Sequence, residues 1–251
     1  MPERTLTPPL TPAPQLTDSL RTEGYAVLSP ASVARLAKVD LSSLDALAAS
    51  WSDLPPDRYL KDGGRYRRRR HASYCLDGTH VQAVPHRAHW QPLSYNALHG
   101  GMQRWFEPVS DAVQAAPAWQ ALMRWLADTA SQVQGPQPWF AEAHQFRIDT
   151  TDGIGRPTPE GAHRDGVDLV AVFLVAREGI KGGETRVFEA DGPAGVRFTL
   201  TEPWSVLLLD DERVIHESTP IQPVATEGAG AAGAHRDTLV VTLRRGSFQD
   251  P

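Results

Sequence analysis

Two histidines and an aspartate stand where they could share one divalent metal ion. In Thr158-Pro159-Glu160-Gly161-Ala162-His163-Arg164-Asp165-Gly166 a His and an Asp lie two residues apart. In an extended chain the period of two puts both side chains on one face, with Arg164 opposite. A second histidine, His216, follows 53 residues later (216 minus 163), within Asp210-Asp211-Glu212-Arg213-Val214-Ile215-His216. Two neutral imidazoles and one carboxylate on one face of an octahedron leave three positions open, the arrangement non-haem iron(II) chemistry uses to bind a co-substrate and oxygen.

His-x-Asp is a weak motif alone, and this chain carries it twice, the second time as His235-Arg236-Asp237. No histidine follows His235, so that copy lacks a distal ligand. It does place an arginine at the start of the apolar run Thr238-Leu239-Val240-Val241-Thr242-Leu243. A guanidinium is a planar, two-pronged donor matched to a carboxylate, so Arg236 is the candidate for a co-substrate's distal carboxylate.

The order His-x-Asp, His, Arg, each beside a β-type run, resembles the cupin-like 2-oxoglutarate dioxygenases. Together with His144-Gln145-Phe146-Arg147, Gly182-Gly183-Glu184-Thr185, the His216-Glu217-Ser218-Thr219-Pro220 segment and Arg236-Asp237, it is similar to the bacterial branch of the L-isoleucine hydroxylase and BsmA type. The likeness covers roughly residues 60 to 246. It implies His163, Asp165 and His216 as iron(II) ligands and Arg236 as the residue holding 2-oxoglutarate. It also implies molecular oxygen as oxidant, succinate and carbon dioxide as co-products, and a free aliphatic L-amino acid as the molecule hydroxylated. The gap from His216 to Arg236 spans 20 residues (236 minus 216) and is longer than the pattern expects. Arg147 and Arg244 therefore stay open as alternatives, and Thr185 and Trp204 are further candidates to line the site.

The elements that must position these residues divide the chain. Residues 1–16 are Pro-rich and read as a flexible tail, followed by a single domain over 17–251. Thr17 to Leu47 and Trp119 to Gln132 carry helical spacing, the latter with a Leu122, Met123, Trp125, Leu126 stripe that reads as core packing. From Trp139 onward, β-branched and apolar runs alternate with Gly, Pro and Asp. Strands are expected at 143–149, 168–176, 184–189, 196–200, 205–209, 214–219 and 238–244. Many short strands without intervening helices predict a sandwich or barrel rather than a parallel α/β sheet. The resemblance implies an α+β, mainly β fold with a jelly-roll (double-stranded β-helix, cupin-like) core over roughly 139–246, flanked by N-terminal helices. The Gly/Ala stretch Glu227 to Ala234 reads as a loop.

Bulk properties narrow the alternatives. The 251 residues suffice for a large core, and 41% hydrophobic with 22% charged residues is ordinary globular usage. A net charge of -5 argues against a general nucleic-acid binder. The exception is Arg67-Arg68-Arg69-Arg70; if extended, it sends Arg67 and Arg69 to one face and Arg68 and Arg70 to the other, and one arginine could reach the site to hold an amino-acid carboxylate. Cys75 is the single cysteine, so no intramolecular disulfide or cysteine-based metal site can form. No apolar leader region or membrane-length run is present, and a cytoplasmic setting is expected. Exposed apolar patches could support a homodimer.

Other motifs fail on spacing. The His-Arg-Asp of kinase loops needs an Asn five positions on, where this chain has Val170 and Thr242. No Gly-x-Ser-x-Gly elbow occurs, and His80, His86, His89 and His99 lack zinc spacing and read as packing or surface residues. Two rivals to amino-acid hydroxylation remain: the same chemistry on a peptide, protein or secondary metabolite, and a non-catalytic β-barrel sensor in stress or biofilm regulation.

Overall fold

Period-two alternation along three long strands determines this architecture. In the computed structural model, which describes residues 6–96, 98–224 and 233–251, the helices are α1 (Leu16–Glu23), α2 (Pro30–Ala37), α3 (Leu41–Ala48), α4 (Asp111–Gln114) and α5 (Pro117–Gln134). The strands are β1 (Tyr25–Leu28), β2 (Arg67–Asp77), β3 (His80–Ala83), β4 (Trp139–Asp149), β5 (Leu169–Glu178), β6 (Ile180–Gly182), β7 (Thr185–Glu189), β8 (Gly195–Phe198), β9 (Val206–Asp210), β10 (Val214–Ser218), β11 (Ile221–Pro223) and β12 (His235–Arg245). An antiparallel seven-stranded sheet runs β1-β9-β5-β12-β4-β2-β3; β10-β7-β8 form a smaller sheet and β11-β6 a pair. This is a jelly-roll α+β fold.

One face of the large sheet carries Ala72 and Tyr74 of β2, Ala141 and Ala143 of β4, and Leu239, Val241 and Leu243 of β12. These pack on Leu20, Trp119, Leu122 and Trp125 of the helical layer. Helix α5 presents that stripe from its start at Pro117, where a missing N–H costs nothing, to its stop at Gly135. Helix α2 is capped by Ser29, whose hydroxyl accepts from the Ser32 N–H at 3.3 Å. The opposite face reads differently along the same strands: Arg69, His71 and Ser73 on β2, Glu142 and His144 on β4, and Thr238, Val240 and Thr242 on β12. It lines the interior between the sheets, closed at one side by an apolar cluster of Val170, Leu174, Val187, Phe198 and Leu207.

From Trp119 onward each expected helix and strand is present to within a few residues, but α4 and the short β6 and β11 are additional, and the large sheet reaches beyond the expected 139–246 core to take in β1, β2 and β3. The N-terminal third differs most. There the helical reading of 17–47 is interrupted by β1, a four-residue strand that pairs with β9. Residues read as a tail run beside it: the Thr11 N–H donates to the Val27 carbonyl at 2.7 Å. The Gly/Ala stretch lies outside the described residues over 227–232. No helix among the described residues is long and apolar enough to cross a membrane.

Candidate metal centre and cavity

His163 and His216 come together through the backbone. Each donates its N–H to the other's carbonyl at 3.0 Å, an isolated antiparallel bridge beyond the start of β5 that points both imidazoles the same way. The ring centroids are 4.5 Å apart. Asp165 faces both: its Oδ1 lies 3.8 Å from His163 Nε2 and its Oδ2 3.9 Å from His216 Nε2. One ligand atom from each of the three lies within 4.8 Å of the others.

The donor set fits a divalent metal. His163 Nδ1 donates to the Gly161 carbonyl at 3.0 Å, which leaves Nε2 with its lone pair toward Asp165. Burial, with a small contribution from His163, holds His216 neutral, the form that ligates a metal. For His163 burial opposes protonation, but the Asp165 and Glu160 carboxylates raise its pKa above the ordinary value; a cation held by the same carboxylate would remove that effect.

Asp211 fixes the loop that carries Asp165. Its carboxylate accepts the backbone N–H groups of Asp165, Gly166 and Val167 at 3.1, 2.7 and 3.1 Å. Burial and then the Asp165 charge push its pKa up to about 7, against the pull of those three donors. Gly166 makes the turn at φ 76°, where a Cβ would meet the Tyr95 ring at 2.4 Å, so both backbone and space require glycine here. The motif Asp210-Asp211 contained this residue, but its role shows only once the loops meet.

The triad opens on a cavity of about 130 Å³. Arg236 lines it from β12, 4% exposed, with no carboxylate paired to it among the described residues. Burial and Arg177 lower its pKa to about 10, which leaves it charged at neutral pH. The structure does not bring the alternative arginines here. Arg147 spends its guanidinium on Asp237, with contacts of 2.8 and 2.6 Å, on the far face of the sheet. Arg244 binds the Ser247 carbonyl at 2.7 Å. Thr185 is buried beside Phe198 and does not line the cavity. Trp204 packs edge-on against Trp51 in the core, its Nε1 donating to Asp45 at 3.0 Å.

The arginine run is extended and divides as its spacing predicts. Arg68 and Arg70 lie beside Asp149 and Asp53 outside. Arg67 and Arg69 turn inward and share Asp57, at 2.7 and 3.7 Å. Arg69 is also sandwiched between the Phe106 and Phe146 rings, 3.7 and 4.3 Å from their centroids.

A second histidine cluster, His71, His89 and His144, has no signature in the sequence spacing, although one ring nitrogen from each also lies within 4.8 Å of the others. Its hydrogen bonds argue against a metal. Arg69 donates to His144 Nδ1 at 2.7 Å, which puts that ring's proton on Nε2. His71 and His89 direct a ring nitrogen at Glu142 Oε1, at 3.0 and 3.2 Å. Burial opposes the Glu142 charge, but these donors outweigh it and hold its carboxyl well below the usual range. The cluster is a buried network that keeps Glu142 ionised at the cavity wall.

Comparison with known proteins follows the same line. A family model described as 2OG-Fe dioxygenase matches residues 48–242. The crystal structure of a bsmA homolog from Methylobium petroleophilum PM1 is 51% identical, covers 98% of each chain and superposes with a TM-score of 0.91. IDO from Bacillus thuringiensis is 18% identical over 95% of this chain and 100% of its own, with a TM-score of 0.73. The Fe(II)/α-ketoglutarate-dependent dioxygenase TqaL is 20% identical over 93% and 87%, with a TM-score of 0.69. The last two likenesses show the fold. A search of curated proteins found no match.

Proposed function

Because the chain belongs to the 2OG-Fe dioxygenase family and uses iron(II) and 2-oxoglutarate, we propose that it hydroxylates a free aliphatic L-amino acid at the cavity described above. In this reading residues 17–251 form one dioxygenase domain, His163, Asp165 and His216 hold the iron, and Arg236 holds the distal carboxylate of 2-oxoglutarate. The bound iron and co-substrate supply the oxidising power for attack on an unactivated C–H bond.

The protein's own residues do the rest. Asp211 and the paired backbones of His163 and His216 hold the three donors in place. Arg236 receives an anion at a fixed distance from them on a rigid strand. Phe146, Ile148, Val172 and Val240 give the cavity an apolar wall that excludes water and suits an aliphatic side chain.

The observation that carries the small-molecule reading is the cavity itself: narrow, lined by the triad and Arg236, and walled by buried residues. The branch resemblance supports an amino acid over a peptide or secondary metabolite. A screen of the free L-amino acids with iron(II) and 2-oxoglutarate tests it, scored by a mass gain of one oxygen. Hydroxylation of one or more aliphatic members is expected. Turnover confined to peptides would overturn the substrate class.

A further inference from the structure

The cavity holds a buried cation that neither the triad nor the Arg236 end uses. Arg104 is 2% exposed and lines the cavity wall. Its Nη2 donates to Gln91 Oε1 at 2.9 Å, a neutral partner, and its buried Nε has no hydrogen-bond partner among the described residues. Arg67 and Arg69 each also leave one buried nitrogen without a hydrogen-bond partner among the described residues, but their charge is met by Asp57 between them, whereas no carboxylate lies within ion-pair distance of Arg104 there. A buried guanidinium without a carboxylate is costly, and the cost is relieved when an anion enters the space it faces. That asymmetry moves the carboxylate site away from the arginine run and onto Arg104.

Two connections tie Arg104 to the chemistry. Gln91 accepts from Arg104 and from Asn96 Nδ2, and with the other end of the same amide donates to Asp165 Oδ1 at 3.1 Å. One side chain therefore sets the spacing between Arg104 and a metal ligand. Arg104 and His89 also exchange backbone hydrogen bonds, each at 3.0 Å, and His89 is one of the two rings bonded to Glu142. Glu142 lines the same cavity; its Oε1 is engaged by those rings and lies 3.5 Å from Arg87 Nη1, while Oε2 makes no hydrogen bond among the described residues and is the oxygen left for a ligand.

We propose that Arg104 binds the carboxylate of the substrate and Glu142 its ammonium group, so that the cavity selects α-amino acids in zwitterionic form, with Gln91 as the positioning residue between Arg104 and Asp165. This assignment rests on the amino-acid dioxygenase reading above and names the residues that would enforce it.

The test uses the full chain loaded with iron(II) and 2-oxoglutarate, monitored by the visible charge-transfer band and by succinate release. The probes are L-isoleucine, L-leucine, L-valine and L-methionine, their C-terminal amides and their N-acetyl derivatives. The acids are expected to stimulate succinate release in the wild type; amides and N-acetyl forms are not. Arg104→Met raises the KM for the responsive acid by about tenfold to a hundredfold and removes the preference for acid over amide, with Arg104→Lys intermediate. Glu142→Gln removes the preference for the free amine over the N-acetyl form. A folding defect would abolish the band and leave these preferences unchanged in the residual activity. Equal stimulation by acids and amides in the wild type overturns the role of Arg104. A band with no response to any acid overturns the zwitterion subsite and leaves the iron and 2-oxoglutarate assignment standing. Absence of the band refutes that assignment first.

Discussion

The backbones of His163 and His216 hydrogen-bond to each other in both directions at 3.0 Å, which sets the two imidazoles side by side. Each ring's direction is then fixed by main chain, and the third donor, Asp165, by the Asp211 carboxylate beneath its loop. The centre is held from behind.

Asp211 is therefore expected to control iron affinity without touching iron. Asp211→Ala removes the acceptor for three backbone N–H groups, and loss of such support costs about tenfold to a hundredfold in metal affinity. Iron(II) titration against a competing chelator measures it. Unchanged affinity would show that the loop holds its shape by other means.

Arg236 and Arg147 should separate cleanly. Arg236→Gln removes a charged donor from the cavity and is expected to raise the KM for 2-oxoglutarate by about tenfold or more. Arg147→Gln leaves that KM unchanged. It lowers stability by roughly 1–3 kcal/mol by stripping buried Asp237 of its bidentate partner. Steady-state kinetics and urea unfolding distinguish the two, and the reverse pattern would place the co-substrate at Arg147.

Burial pushes His89 and His99 down to about 4, helped at His99 by Arg67 and opposed at His89 by Glu142. In the unfolded chain a histidine titrates at about 6.5. Between those values the unfolded chain binds more protons than the folded one, so stability falls as pH drops from about 6.5 to about 4. Tm measured across that window should decline, and the His99→Asn variant should decline less steeply. A Tm independent of pH over that range would mean these rings are protonated in the fold.

Trp204 is a core residue here, not a pocket wall. Trp204→Ala is expected to cost about 3–5 kcal/mol while the KM for 2-oxoglutarate in the folded fraction stays put. Chemical denaturation and kinetics together check this; a KM change without a stability change would return Trp204 to the site.

The parts legible in the sequence are those whose signal is local. His163 and Asp165 share a face because of the two-residue period, and Arg236 leads an apolar run that could only be a strand. The alternation through Arg67 to Arg70 separates Arg67 and Arg69 from Arg68 and Arg70, but does not tell which pair turns inward or that Asp57 occupies it. What stayed hidden depends on partners far away in the chain. Asp211 looks like part of an acidic turn until its loop meets residues 165–167. Gln91 and Arg104 become a pair because the chain doubles back at the His89 bridge, and Glu142 acquires its meaning from histidines on another strand and a loop. Strand β1 carries no readable period, because four apolar residues between Gly24 and Ser29 are too few to show one; the β9 edge makes them a strand.

The central claim is that His163, Asp165 and His216 hold the iron of a 2-oxoglutarate dioxygenase. Succinate release from 2-oxoglutarate, measured with iron(II) and oxygen on the wild type and on His163→Ala, Asp165→Ala and His216→Ala, tests it most directly. The account predicts iron-dependent succinate from the wild type and a loss of at least about a hundredfold in each variant, with circular dichroism unchanged. Wild-type rates in any folded triad variant would contradict it.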